Sequence, residues 1–144
     1  MIQPVTEENL LDAARVHAEA WRASHGFCSP EFVAAHTTQR QADYFRRGMA
    51  EGKRFFLLKE GGPAAVVSVQ GDCIGDLYVL PQRQGKGLGT RLLRYAETRC
   101  GGTPRLWVLN NNRRAIALYL KNGYHFTGRE NPLSDKLSER EMSR

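Results

Sequence analysis

A glycine-rich turn between an apolar run and an amphipathic segment constrains the fold of this chain most strongly. It reads VLPQRQGKGLGTRLL, from Val79 to Leu93, with glycines at 85, 87 and 89. Because glycine has no Cβ atom, it permits left-handed backbone and lets another molecule approach the main chain closely. A helix that starts directly after such a turn presents unpaired N–H groups and the positive end of its dipole. The turn therefore predicts a strand, an anion site and a helix in that order.

The spacing of these glycines excludes two common nucleotide-binding motifs. A P-loop requires G-x-x-x-x-G-K-[ST], but Leu80 occupies its first glycine position and Gly87 follows the Gly-Lys pair. The dinucleotide fingerprint G-x-G-x-x-G fails as well, since Thr90 stands where its third glycine belongs. The predicted anion site is therefore of another type.

The charge of the chain also indicates an anionic partner. Its formal net charge is +6, and a basic balance by itself favours phosphates, nucleic acid or acidic surfaces equally. Several basic residues surround the turn and the later helices: Arg83, Lys86, Arg91, Arg94, Arg113 and Arg114. They do not form a stripe interleaved with aromatic residues, as a nucleic-acid groove requires. This placement predicts one compact polyanionic ligand and no nucleic-acid partner.

Length and composition favour a single domain over residues 1–144. With 144 residues, of which 41% are hydrophobic, the chain can bury a core without disulfides or metal. No apolar run approaches the ~18–20 residues of a membrane span, and the N-terminal MIQPVTEENL lacks the features of a secretory signal. Cys28, Cys73 and Cys100 form no C-x-x-C pair, which argues against a zinc site. We expect a cytoplasmic protein with no membrane partner and no bound metal.

Hydrophobic periodicity predicts helices inserted into a mostly antiparallel sheet. Thr6 fits an N-cap for a first helix with the apolar spacing Leu11, Ala14, Ala18 and Trp21, and a second amphipathic stretch covers 31–49. Strand-like runs follow at 54–59, 64–70 and 73–80, then a helix at 88–99, a strand at 105–109, a helix at 111–121 and strands at 124–128 and 137–142. This order predicts a mixed α/β domain with three layers.

Two motifs in this order resemble those of the GNAT superfamily of acyl-CoA-dependent N-acyltransferases. Residues 82–87, QRQGKG, fit its Q/R-x-x-G-x-G/A signature. Residues 112–124 fit its C-terminal motif through Asn112, Ala115, Leu118-Tyr119 and Gly123-Tyr124, and the strand sequences DLYVLP and RLWVLN precede the two motifs as in that family. The resemblance covers nearly the whole chain. It implies a three-layer α/β/α fold whose mostly antiparallel sheet of six to seven strands is splayed at the fourth and fifth strands.

The resemblance also implies an N-acetyltransferase that uses acetyl-CoA, with coenzyme A as product and an amine as acceptor. In this family the amine attacks the thioester directly in a ternary complex, and members are often homodimers. The implied cofactor-binding residues are Tyr78, Val79 and Leu80 on the strand, Gln84, Gly85, Lys86, Gly87, Leu88, Gly89 and Thr90 in the turn, and Asn112 and Tyr119 on one face of the last helix. The turn would hold the pyrophosphate, and the strand edge would hold the pantetheine arm. The acetyl carbonyl would accept a hydrogen bond near the Val79 amide.

Catalytic roles follow from the same resemblance. Tyr119 would protonate or hydrogen-bond the departing thiolate of coenzyme A. Family members often carry a glutamate early in the fourth strand as general base, but Cys73 stands at about that place here. Asp72 and Asp76 are the candidate bases, and we favour Asp76 because it shares a strand face with Tyr78.

The acceptor would be recognised by the first two helices and the loop between them, since that region covers the cleft in this fold. Aromatic and imidazole side chains in this region are candidates for lining the acceptor site: Trp21, His25, Phe27 and Tyr44. A small amine, an amino-acid derivative and a protein N-terminus all remain open as acceptors.

Two other functions remain open at this point. A regulatory module that binds acyl-CoA without turnover fits the missing strand glutamate. A nucleotide- or nucleic-acid-binding protein fits the basic turn, although the glycine spacing argues against it.

Overall fold

The computed structural model describes residues 1–144 and contains seven strands and five α-helices. The strands are β1 (Ile2–Pro4), β2 (Arg54–Lys59), β3 (Pro63–Gln70), β4 (Cys73–Val79), β5 (Arg105–Leu109), β6 (His125–Pro132) and β7 (Ser138–Ser143). The helices are α1 (Leu10–Ser24), α2 (Pro30–Ala34), α3 (Thr38–Ala50), α4 (Leu88–Glu97) and α5 (Arg113–Lys121), with a 3₁₀ turn at Pro81–Arg83. From β2 onward these elements follow the predicted order.

All seven strands form one sheet in the order β1-β2-β3-β4-β5-β7-β6. Neighbouring strands are antiparallel except β4 and β5, which run parallel. This parallel pair is short, because only Cys73 with Arg105 and Ile74 with Leu106 are matched. Beyond these residues the two strands separate, so the predicted splay between the fourth and fifth strands is confirmed.

Helices cover both faces of the sheet and enclose two hydrophobic clusters. Leu10, Ala42 and Phe45, from α1 and α3, pack with residues of β2 and β3 on one face. Leu92 and Tyr119, from α4 and α5, pack with residues of β3, β5 and β7 on the other face. The predicted three-layer α/β/α architecture is therefore confirmed. None of the helices combines the length and the apolar sequence that a bilayer-spanning segment needs.

The amphipathic stretch predicted over 31–49 is divided into two helices. Ser29 caps the short α2, since its side chain accepts a hydrogen bond from the Phe32 N–H. The Thr37 side chain then accepts from the Arg40 N–H at 3.1 Å and begins a new helix. The spacing of apolar residues predicts one continuous amphipathic stretch here, and the two side-chain caps divide it into two helices.

The first helix begins later than its predicted cap at Thr6. Asn9 Oδ1 accepts a hydrogen bond from the Thr6 N–H at 2.8 Å, which closes a turn before Leu10 starts α1. The Thr6 side chain accepts from the Glu8 N–H at 3.3 Å, so Thr6 caps this preceding turn and not α1. The boundary therefore shifts although the helix itself was predicted.

We expect Phe45→Ala to lower the free energy of unfolding by about 3–5 kcal/mol, because it leaves a cavity between α3 and β2. The Phe45 ring is fully buried and stacks on the Phe55 ring with centroids 4.1 Å apart. Urea denaturation measures the change. Phe27→Ala is the matched control, since Phe27 is 52% exposed, and an equal loss in both variants would contradict this description of the core.

Candidate active site

The separation of β4 and β5 opens a cleft of about 340 Å³. Most predicted cofactor-binding residues line it: Tyr78, Val79, Gln84, Gly85, Gly87, Leu88, Gly89, Thr90, Asn112 and Tyr119. Two of the predicted cofactor-binding residues, Leu80 and Lys86, do not line the cleft. Leu80 is buried in the cluster beneath α1 and α3, and Lys86 is exposed outside the lining.

The turn between β4 and α4 presents an unbroken row of free backbone donors. None of the six amides from Gly85 to Thr90 donates to an acceptor within the chain. Gly85 and Gly87 have φ values of +80° and +78°, and a Cβ atom added at either would meet no atom within 4 Å. Since α4 begins at Leu88, the row lies at the positive end of a helix dipole. The main chain alone thus forms an anion site here.

The edge of β4 contributes one more backbone donor. The Leu80 N–H donates to the Ala64 carbonyl at 2.9 Å, so the backbone groups of Leu80 face β3. Because these groups alternate between the two sides of an antiparallel strand, the N–H and carbonyl of Val79 face the gap left by β5. Gln84 Nε2 donates to the Val79 carbonyl at 3.2 Å, in agreement with this orientation. The Val79 N–H is therefore directed into the cleft.

Tyr119 and Asn112 reach the cleft from α5 and its N-terminus. The Tyr119 hydroxyl bonds to no other group of the chain and is accessible from the cleft. Burial raises the pKa of this phenol to about 12, so it stays protonated and can donate a hydrogen bond. Asn112 Oδ1 accepts from the Ala115 N–H at 3.1 Å and caps α5, which leaves its side-chain amide as a free donor.

Asp76 lies behind the lining of the cleft, with its side chain 12% exposed. Four side chains surround its carboxylate: His17 Nε2 at 2.9 Å, Ser68 Oγ at 2.8 Å, the Tyr44 hydroxyl at 3.0 Å and Lys53 Nζ at 3.6 Å. Burial opposes ionisation, but the hydrogen bonds of His17 and Ser68 and the Lys53 charge outweigh it and lower the pKa of Asp76 to about 2. A carboxyl with this pKa is a weak proton acceptor, which argues against the general-base role expected for Asp76.

Asp72, the other candidate base, directly precedes β4, at the end of the strand that is remote from the cleft. Its carboxylate accepts from the Gly102 N–H at 2.5 Å, and its carbonyl accepts from the Arg105 N–H at 2.9 Å. These bonds join the start of β4 to the turn before β5. The structure does not bring Asp72 into the cleft.

The predicted acceptor-lining residues fall into two places. His25 and Phe27 line a groove of about 430 Å³ that adjoins the cleft at Ser24 and Gln84. Trp21 lies between the rings of His25 and His36, with centroid distances of 3.8 and 3.4 Å, so neither of its faces is free. Tyr44 belongs to the group around Asp76 and lines neither space.

Several lining residues were absent from the predicted site: Ala20, Ser24, Leu77, Arg83, Arg114, Ala115 and Leu118. Ala20 and Ser24 come from α1, which the family resemblance places over the cleft without pointing to these two residues. Leu77 and Leu118 are neighbours of predicted residues, so their positions next to Tyr78 and Tyr119 were the available signal.

Arg94 pairs with Glu97 at 3.2 Å, and the other basic residues around the turn divide into two groups. Arg83 donates to the backbone carbonyls of Glu60 and Gly61, and Arg91 forms an ion pair with Glu60 at 2.9 Å. These contacts hold the turn against the loop between β2 and β3. Lys86, Arg113 and Arg114, in contrast, form no ion pair within the chain: they are the cations available to a ligand.

We expect Asp76 to make the stability of the protein fall steeply in acid. Folding lowers its pKa from 3.8 to about 2, so the unfolded chain binds more protons between these values. The stabilisation is complete above about pH 4 and amounts to about 2 kcal/mol, which is lost as the pH falls through about 2. Urea denaturation across this range should show the stability gap between the native protein and Asp76→Asn narrowing by that amount.

The exposed Asp135→Asn is the control for this acid dependence, since the Asp135 side chain has no hydrogen-bond or ion-pair partner. Its stability should follow that of the native protein at every pH. A gap between Asp76→Asn and the native protein that stays constant with pH would contradict the low pKa.

Comparison with known proteins agrees with this geometry. The chain resembles the PaiA N-acetyltransferase of Thermoplasma acidophilum, solved in complex with coenzyme A, with a TM-score of 0.73 and 19% identity over 100% of this chain and 98% of that one. It also resembles yncA of Salmonella typhimurium, solved with its cofactor acetyl-CoA (TM-score 0.72, 18% identity, 100% and 92% coverage). An acetyltransferase of Thermus thermophilus has a TM-score of 0.75 at 19% identity, with 100% and 96% coverage. At these identities the likeness establishes the fold.

A sequence comparison with curated proteins gave no match. The family model of the acetyltransferase (GNAT) domain, however, matches residues 51–126. This range is more than half of the chain and runs from the end of α3 to the start of β6, so it contains the β4–α4 turn and α5. The protein therefore belongs to the GNAT acetyltransferase family.

Proposed function

We propose that the protein is an N-acetyltransferase that moves the acetyl group of acetyl-CoA to a primary amine. The observation that carries this proposal is the row of free amides from Gly85 to Thr90, which opens onto the gap between β4 and β5. A pyrophosphate needs such a row of donors, and an extended pantetheine arm needs an unpaired strand edge. Membership of the GNAT family and the cofactors named for two structural neighbours support the same function.

The residues of the turn fit the phosphates of coenzyme A. Gly85 and Gly87 leave open space where side chains would stand, so a phosphate can contact the backbone directly. Lys86, Arg113 and Arg114 have no acidic partner in the chain and can supply positive charge near it. The bound cofactor supplies an activated thioester, and the protein's part is to orient it.

Transfer proceeds by direct attack of the amine nitrogen on the thioester carbonyl. The Val79 N–H donates to the carbonyl oxygen as it gains negative charge. The new C–N bond forms, the C–S bond breaks, and the Tyr119 hydroxyl donates a hydrogen bond to the departing sulfur. With its pKa raised to about 12, Tyr119 stabilises the thiolate mainly as a hydrogen-bond donor.

The cleft favours an acceptor amine that is partly neutral at the working pH. No aspartate or glutamate lines the cleft, so the proton of the attacking amine leaves through water. An α-amino group, with a pKa of about 7.7–8.0, is substantially neutral near pH 8, whereas a lysine ε-amino group at about 10.4 is not. A protein N-terminus or a small amine of low basicity is therefore the acceptor that we propose.

Isothermal titration with acetyl-CoA, coenzyme A and ATP tests the cofactor site. Micromolar affinity for both coenzyme A species, without binding of ATP, supports the proposal. Release of free thiol is then followed with amines of graded pKa, including a peptide with only its α-amino group free. If acetyl-CoA binds and no amine releases thiol, the protein is the regulatory module, a function that the absence of a carboxylate from the cleft also favours.

Gly87→Ala should weaken coenzyme A binding by about tenfold or more, because its methyl group enters the space in which a phosphate approaches the backbone. Gly52→Ala is a matched control. Gly52 also has a positive φ, +93°, with no atom near its missing Cβ, but it follows α3 far from the turn. Both substitutions cost about 1 kcal/mol of backbone strain. Equal coenzyme A affinity in the two variants would rule out the anion site.

Tyr119→Phe should reduce kcat by about 10–100-fold while the affinity for coenzyme A changes by less than about twofold, because only the departing sulfur loses a donor. Steady-state thiol release and titration separate the two quantities. Tyr95→Phe is the control, since the Tyr95 hydroxyl bonds to Arg99 on the side of α4 outside the cleft. A Tyr119→Phe variant with native kcat would remove Tyr119 from the mechanism.

A further inference from the structure

One extra residue in β4 changes the register between β3 and β4. Ser68 is opposite Gly75, but Val66 is opposite Tyr78, so β4 advances by three residues where β3 advances by two. Such a bulge requires one residue with unusual backbone angles. That residue is Asp76, which has a φ of +50° and is the only non-glycine residue of the chain with a positive φ.

The bulge decides which backbone groups of β4 face the gap. Before it, the Asp72 carbonyl accepts from the Arg105 N–H, so even-numbered residues face β5. After it, the Leu80 N–H donates to the Ala64 carbonyl, so even-numbered residues face β3. Since backbone groups alternate along a strand, holding the extra residue in a bulge keeps the Val79 N–H in the cleft, and the same chain without the bulge would turn it toward β3.

The carboxylate of Asp76 is fixed from four separate parts of the chain. His17 donates from α1, Tyr44 from α3 and Ser68 from β3, while Lys53 lies 3.6 Å away just before β2. The group extends to α3 a second time through Gln41 Nε2, which lies 2.7 Å from the other ring nitrogen of His17. A left-handed residue without glycine's freedom persists only where its surroundings hold it. The four groups around the carboxylate therefore stabilise the left-handed backbone of Asp76.

We propose that Asp76 is a positioning residue for acetyl transfer, whose hydrogen-bonded carboxylate holds the β4 bulge and so aims the Val79 N–H at the acetyl carbonyl. This inference rests on the proposed function. It gives Asp76 a role that needs no proton transfer and no contact with substrate. The same contacts explain why a charged group is buried beside the cleft, where it would otherwise be costly.

Asp76→Asn tests the proposal with little change of shape. Asparagine tolerates a positive φ, so the substitution removes the charge and weakens the hold without adding steric strain. Misplacing a donor by about 1 Å costs on the order of 100-fold in rate, so we expect kcat to fall about 10–100-fold while coenzyme A affinity stays within about twofold of native. Free coenzyme A has no acetyl carbonyl and does not use the Val79 N–H.

Glu97→Gln is the matched control for this experiment. Glu97 is also a largely buried carboxylate, 10% exposed, that accepts from a tyrosine hydroxyl and contacts arginine, but it lies at the far end of α4 from the turn. A purely structural role for Asp76 predicts that both variants lose stability and keep kcat. The proposal predicts a loss of kcat in Asp76→Asn alone.

The infrared carbonyl band of ¹³C-labelled acetyl-CoA provides a readout that does not depend on turnover. Bound to the native protein, the band should shift to lower frequency because of the Val79 hydrogen bond, and in Asp76→Asn it should move back towards the free value. If Asp76→Asn does not fold, Ser68→Ala removes one donor and should give the same changes to a smaller degree.

An unchanged carbonyl band together with native kcat in these variants would overturn the proposal. If the native protein binds acetyl-CoA but releases no thiol with any amine, the proposed function fails instead. The carbonyl band then still decides whether Asp76 positions the Val79 donor.

Discussion

The parting of β4 from β5 is the constraint on which the rest of the site depends. Two matched residue pairs hold the strands together, and beyond them neither strand satisfies the other's backbone. Unpaired backbone groups inside a sheet are costly unless a ligand or water reaches them. The cleft and the free Val79 N–H are consequences of this separation, and the row of amides that opens α4 lines the same gap. The binding capacity of the fold therefore lies in main-chain groups.

The sequence was most informative where the site is local. The glycines at 85 and 87 indicate positive φ because glycine adopts it without strain, and the helix that follows them indicates free amides. The predicted mixed sheet and its splay are confirmed. The group around Asp76 was beyond prediction, because α1, α3, β2 and β3 bring His17, Tyr44, Lys53 and Ser68 together only after folding. Asp76 was chosen as a candidate general base because it shares a strand face with Tyr78, whereas the role proposed for Asp76 from the structure is to hold the bulge.

The basic residues near the cleft have two different roles. Arg83 and Arg91 direct their donors to the loop between β2 and β3, so they shape the turn. The side-chain donors of three other cations are free: Lys86, Arg113 and Arg114. No carboxylate lines the cleft to pair with them. A site with this balance attracts anions and repels protonated amines.

The direction of the Val79 N–H depends on whether β4 keeps its extra residue in a bulge, which none of the sequence motifs specifies. Deleting one residue between Gly75 and Tyr78 would restore an even ladder with β3 in which Tyr78 still pairs with Val66, so the Val79 N–H would still face the gap. A chain of unchanged length that lost the bulge would instead bring Val79 into the ladder with β3 and turn its N–H away from the gap. The glycine turn and the α5 residues would be intact, and the chain would still carry every motif of its family. During divergence, a relative could thus lose this donor through substitutions that flatten the bulge while its sequence signature stayed complete.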